Sequence, residues 1–157
     1  MSMFTEDQTT RVKHNTLPDM PRHPQEPSHW THGVVETSPG VKIHYTDVSP
    51  SQPNKHTLVL IHGYPQTSYE FRHVIQPFAD LGYRVLAPDY RGAGDSSRPR
   101  DGYDKFTMAT DIHTLFTSLK IKSPIILGHD IGSMVAVCLA LKFSSDISAL
   151  ICMGAYI

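Results

Sequence analysis

The sequence predicts an α/β fold, a mostly parallel sheet with helices on both faces, and three observations carry that reading. From Leu58 onward, strand-like and helix-like segments alternate. The strand-like segments, such as TLVLI (57–61) and SPIIL (123–127), are apolar runs without polar alternation, as expected of strands covered on both faces. Loops that could carry a site follow three of them: HGYPQT, DYRGAGDSS and GHDIGS.

The elements follow in order. Residues 1–30 are rich in Pro, His, Thr and charge, with Pro18, Pro21, Pro24 and Pro27 at three-residue intervals. Proline resists helix and sheet alike, so this stretch is expected to be an extended or disordered tail. His14, His23, His29 and His32 lie in or near it and read as solvated side chains, since no pair has the i, i+4 spacing of a helical metal site. Residues 31–157 then read as one partial domain. THGVVET and VKIHYTDV form a hairpin about SPG, TLVLIHG is a buried strand, and SYEFRHVIQPFADLG is a helix closing at Gly82. YRVLAPDY is a strand leading into a glycine-rich loop. FTMATDIHTLFTSLK repeats Met108, Ile112, Leu115, Phe116 and Leu119 at helical spacing. IKSPIILGHD is a strand, GSMVAVCLALKFSSD a helix, and ISALICMGAYI a last strand.

Bulk composition excludes several function classes. With 157 residues, 39% hydrophobic and 18% charged, the chain suits one soluble domain with a real core. A net charge of −1 gives no footprint for nucleic acid or an anionic membrane surface, and no apolar run reaches the length of a membrane span. The N-terminus lacks the apolar stretch of a signal peptide. Cys138 and Cys152 lie in apolar segments without metal-ligand spacing and read as two buried free thiols, which fits the reducing cytoplasm. No cofactor and no metal is expected.

GHDIGS has the grammar of a strand-to-helix turn that presents a nucleophile, G-x-Nu-x-G, with Asp130 at the apex. Gly128 and Gly132 suit it because a Cβ at either place would collide where strand and helix cross. The turn aims the Ile131 N–H at the reaction centre, and the N-terminal end of the following helix favours an ionised Asp130. HGYP after the strand TLVLI is expected to bring the Tyr64 N–H to the same spot. Two such donors make an oxyanion hole.

HGYPQTSYEFRHVI, VLAPDYRGAGDSSRP, GYDKFTMATDI and GHDIGSMVA together resemble the first half of an α/β-hydrolase. The resemblance is to the branch of epoxide hydrolases and haloalkane or haloacid dehalogenases, whose elbow nucleophile is Asp, and it runs from about Trp30 to the C-terminus. It implies a carboxylate that attacks a saturated carbon of a small-molecule electrophile and forms an alkyl–enzyme ester, which a histidine-activated water then hydrolyses. Within the branch, dehalogenases hold halide with Trp after the Asp and Asn at the Tyr64 position, or grip a carboxylate with arginines at the positions of Ile131 and Met134. This chain matches neither set, so an epoxide hydrolase is the first reading. A haloalkane dehalogenase remains an alternative.

In the resembled family the positions of His62 and His129 are structural, supporting the oxyanion turn and the elbow together with Gly63, Pro65, Gly128 and Gly132. His73 and His113 show no partner. Asp89, Arg91 and Ser96 read as loop-fixing groups, and Tyr69 and Phe71 as pocket lining. The family's cap, acid and catalytic histidine follow the sixth strand, and the sequence stops at Ile157. The expectation is therefore a chain truncated after that strand, unable to turn over alone, with ISALICMGAYI as an exposed apolar edge open to self-association. A non-catalytic remnant acting as an interaction module is the reading from another class.

Overall fold

The computed structural model describes residues 26–52 and 56–154. β1 (Thr31–Ser38) and β2 (Val41–Val48) form the expected antiparallel hairpin. β3 (Thr57–Ile61), β4 (Arg84–Pro88), β5 (Ile125–His129) and β6 (Ala149–Met153) are parallel to their neighbours, and β2 joins them by antiparallel pairing with β4. The six-stranded order is β1-β2-β4-β3-β5-β6. Helices α1 (Ile75–Asp80), α2 (Lys105–Ser118) and α3 (Ile131–Lys142) complete the unit.

The unbroken apolar runs serve two cores at once, because successive strand side chains point to opposite faces. In β3, Val59 and Ile61 join Ile43, Leu86 and Ile126 beneath α2 and α3, where Met108, Ile112, Leu115, Val135 and Leu139 close over them. Leu58 and Leu60 face the other way, against Val85, Phe71, Ile75 and Ala79. Helices on both faces are what the parallel reading required.

The single helix expected over 68–82 is two pieces, a 3-10 turn (Ser68–Phe71) and α1. Pro77 explains the break. It lacks an N–H and would clash with the carbonyl four residues back, so it fits only in a helix's first turn, and α1 starts two residues before it.

Most of the expected tail lies outside the described residues, as do His14 and His23. Its described end is packed. Trp30 is 2% exposed in the α1-side core, and its Nε1–H donates to Gln76 Oε1 at 3.0 Å. His29 is exposed, as a solvated side chain would be, whereas His32 is half-buried. His29 Nε2 lies 2.7 Å from Gln76 Oε1, and His32 stacks on His44 with ring centroids 5.2 Å apart. Long-range contacts of this kind leave no trace in local spacing.

Both cysteines are free, but they are not both buried: Cys138 is half-buried and Cys152 exposed. The cause is the sheet edge. All five residues of β6 are exposed, because no described element covers them beyond α3. Among the described residues no helix is long and apolar enough to cross a membrane.

Candidate active site

β3 lies between β4 and β5, so consecutive connections leave it in opposite directions. That is the switch point of an open α/β sheet, where a crevice opens at the strands' carboxyl ends. HGYP leaves β3 there and GHDIGS leaves β5. The last register pair is Ile61↔Gly128.

Asp130 sits just past β5 at φ 50°, ψ −120°, and is the residue preceding α3. Such a backbone is costly for a residue with a Cβ, on the order of 1–3 kcal/mol, and must be held by its surroundings. Its N–H donates to the Met153 carbonyl at 2.9 Å, and its carbonyl accepts the Ser133 N–H at 2.9 Å. Ser133 Oγ–H donates to the Gly128 carbonyl at 2.7 Å and Oγ accepts the Met153 N–H at 3.1 Å, sewing the turn to β6. The glycines are needed for space. A Cβ on Gly128 would lie 2.6 Å from the Ser133 Cα, and one on Gly132 would lie 2.6 Å from the His62 carbonyl oxygen.

The Asp130 side chain does not cap α3. It turns to the other loop, where the Tyr64 N–H donates to Oδ2 at 2.9 Å. The Tyr64 and then the Ile131 backbone N–H groups hold the Asp130 carboxyl below the usual carboxylate range. Tyr64, Ile131 and Asp130 are thus brought together at the strand ends.

His62 is fully buried and stacks on Tyr90, ring centroids 4.0 Å apart. Its Nδ1–H donates to the Gly63 carbonyl at 2.8 Å, and the Tyr90 hydroxyl donates to the same oxygen at 3.2 Å. Burial pushes the His62 imidazole down from 6.5, outweighing that hydrogen bond and the Asp89 and Glu70 charges. Burial, with the Asp130 charge next, pushes the Tyr90 phenol up to about 12. Pro65 follows Tyr64 through a cis peptide bond at the exposed tip of the turn.

Glu70 escaped the sequence reading. One carboxylate oxygen accepts the Gly63 N–H at 3.0 Å, and the other lies 2.6 Å from His129 Nδ1. The available signal was Thr67-x-x-Glu70, which has the spacing of a capping box at a helix start. Thr67 does precede the 3-10 turn, but Glu70 reaches beyond it to the strand ends.

Asp89, Arg91 and Ser96 fix the neighbouring loop. Asp89 accepts from His44 Nδ1–H at 2.8 Å, the Ser68 N–H at 2.6 Å and the Asp95 N–H at 3.2 Å. Burial alone would raise its pKa, but these bonds outweigh it and hold the group at about 2. Arg91 donates twice to Asp111, at 2.6 and 2.8 Å. Among the described residues, potential metal ligands converge at His44, Asp89 and Asp95, within 4.8 Å of one another. The His44–Asp89 contact is itself one of these hydrogen bonds, so the Asp89 lone pairs are committed to closing the loop. His113 has a partner after all: Nε2 lies 2.8 Å from Asp146 Oδ2, and the ring stacks on Phe143.

Comparison with known proteins adds two family models. Residues 56–157 match the alpha/beta hydrolase fold, and residues 21–71 match the epoxide hydrolase N terminus. A soluble epoxide hydrolase of Corynebacterium sp. is 44% identical over 97 residues, which are 62% of this chain and 32% of that protein. Epoxide hydrolase A of Mycobacterium tuberculosis is 37% identical over 107 residues, 67% of this chain and 32% of that one. Among solved structures, the epoxide hydrolase CorEH superposes with TM-score 0.72 at 37% identity, covering 80% of this chain and 42% of that chain. Wild-type Cfl2 from Burkholderia cenocepacia gives TM-score 0.77 at 30% identity, covering 84% and 45%. The chain spans about a third of the length of these curated relatives.

Proposed function

The chain belongs to the α/β-hydrolase family, with an epoxide-hydrolase-like sequence, and on that premise we propose that Asp130 is a carboxylate nucleophile for an epoxide. The observation that carries this is the 2.9 Å hydrogen bond from the Tyr64 N–H to Asp130 Oδ2, made between residues 66 apart in sequence. A carboxylate needs no base to be nucleophilic, and the two backbone donors keep this one ionised. Oδ1 attacks an epoxide carbon, the ring C–O bond breaks, and the oxygen takes a proton from water. The product is a hydroxyalkyl ester of Asp130 with Oδ2 as its carbonyl oxygen.

Hydrolysis begins with water attacking the Asp130 carbonyl carbon, which throws negative charge onto Oδ2. The Tyr64 and Ile131 donors already address the carboxylate, so they form the oxyanion hole of this second step. Each such donor is worth roughly 3 kcal/mol of barrier. Collapse of the adduct restores the carboxylate and releases a diol.

The second step needs a base to take the water's proton. Of the two histidines at the turns, His62 is fully buried with Nδ1 committed to the Gly63 carbonyl. His129 Nδ1 faces Glu70. We therefore expect these 157 residues by themselves to form the ester and stall. Intact-mass measurement after incubation with styrene oxide tests both halves. One added epoxide per chain, absent in Asp130→Asn, is expected. Multiple turnovers to diol would refute the stall, and an unmodified chain would refute the nucleophile.

A second reading rests on β6, whose five residues are all exposed at the sheet edge. Two such edges pairing would give a self-associating module without catalysis.

A further inference from the structure

We infer that Glu70 is a positioning residue for this site, its carboxylate setting the separation between the turn that carries Tyr64 and the turn that carries Asp130. The inference rests on the reading of Asp130 as nucleophile. Backbone pairing between β3 and β5 ends at Ile61↔Gly128, and beyond that pair no strand bond holds the two turns together. Two other bridges take over. One is the Tyr64 N–H to Asp130 bond. The second is Glu70, with Oε2 on the Gly63 N–H at 3.0 Å and Oε1 at 2.6 Å from His129 Nδ1.

Gly63 and His129 each precede the reactive pair by one residue, so the Glu70 bridge lies directly behind the Tyr64–Asp130 bridge. The turns also touch there: a Cβ on Gly63 would lie 2.8 Å from the Asp130 Cβ and 3.1 Å from His129 Nδ1. Without Glu70, the Gly63 N–H loses its acceptor and His129 Nδ1 loses the carboxylate oxygen 2.6 Å away, and little but that contact and the Tyr64 bond fixes the gap. Geometry matters steeply at such a point, since a displacement near 1 Å can cost on the order of a hundredfold in rate.

The charge state of the bridge is specific. An ionised carboxylate only accepts, so at 2.6 Å it favours a proton on His129 Nδ1. Glutamine at position 70 offers one acceptor and one donor. It must therefore either drive His129 to the Nε2–H tautomer or abandon the Gly63 N–H. A residue that merely filled space would impose no such choice.

The test uses the 157-residue chain, with amide exchange at Gly63 and Tyr64, the ring ¹⁵N shifts of His129, and the rate of Asp130 alkylation by styrene oxide. In Glu70→Ala, protection at both amides is expected to fall and alkylation to slow about tenfold. In Glu70→Gln, either the His129 tautomer or the Gly63 protection is expected to change, with alkylation within a few-fold of wild type. If Glu70→Ala leaves Tyr64 exchange and alkylation unaltered, or Glu70→Gln changes neither His129 nor Gly63, the inference is overturned. If the wild-type chain takes up no epoxide while Tyr64 protection still depends on Glu70, the nucleophile reading fails and the bridge stands.

Discussion

The His62 ring and the Tyr90 ring stack 4.0 Å apart and both donate to one acceptor, the carbonyl oxygen of Gly63. The residue before Tyr64 is thereby held at its oxygen from the core side, while Glu70 holds its nitrogen. Tyr64, which is 72% exposed, stands on a fully bonded base.

His62 gives that base a pH dependence. Burial lowers its folded-state pKa below 6.5. Between the two values the unfolded chain binds the extra proton, so stability falls as pH drops below about 6.5 and is fully present above it. Urea midpoints measured across acidic pH should decline in wild type. His62→Phe keeps a ring against Tyr90, removes the titration, and loses about 1 kcal/mol from the Gly63 bond at neutral pH. Parallel acid limbs in the two proteins would contradict this assignment.

Asp130 is held at φ 50° by the bonds around it. Asp130→Gly relieves that strain and should raise stability by about 1 kcal/mol while abolishing alkylation. A thermal melt beside an intact-mass assay reads both effects. A variant less stable than wild type would show that the carboxylate's two backbone partners outweigh the strain.

Trp30 is the chain's single tryptophan, so its emission reports one place. Burial against the α1 side predicts blue-shifted fluorescence that moves red in a single step with global unfolding. Trp30→Ala should cost about 3–5 kcal/mol, as emptied aromatic core sites do. Fluorescence already red-shifted in the native protein would place the indole in water.

Cys152, in the edge strand β6, is exposed, and Cys138, in α3, is half-buried. A thiol reagent such as Ellman's should therefore titrate two sites in sequence, Cys152 first. Under the self-association reading, Ile151→Lys should shift sedimentation toward monomer and leave alkylation of Asp130 in place. Equal oligomer content in the two proteins would remove that reading.

Much of this was legible because it is written locally. Apolar runs marked every strand from Thr57 on, and two glycines around an aspartate marked the tight turn where Asp130 meets the Tyr64 loop. The exceptions share one physical cause. Trp30 and His32 sit in or beside a proline-rich context whose local preference is extended, and packing onto α1 and β2 overrides it. Glu70 obeys the spacing of a helix cap, yet its partners lie seven and 59 residues away, which only the folded chain reveals. The break at Pro77 was readable in principle, since proline marks where a helix can begin.

The elbow leans on the least protected strand of the sheet. Asp130 gives its amide to Met153, and Ser133 bonds to the same residue of β6. Fraying of that border would release the aspartate's backbone while the two cores remain intact. On the nucleophile reading, alkylation of Asp130 should therefore be lost in mild denaturant ahead of the Trp30 signal, and whatever shelters the border also steadies that turn.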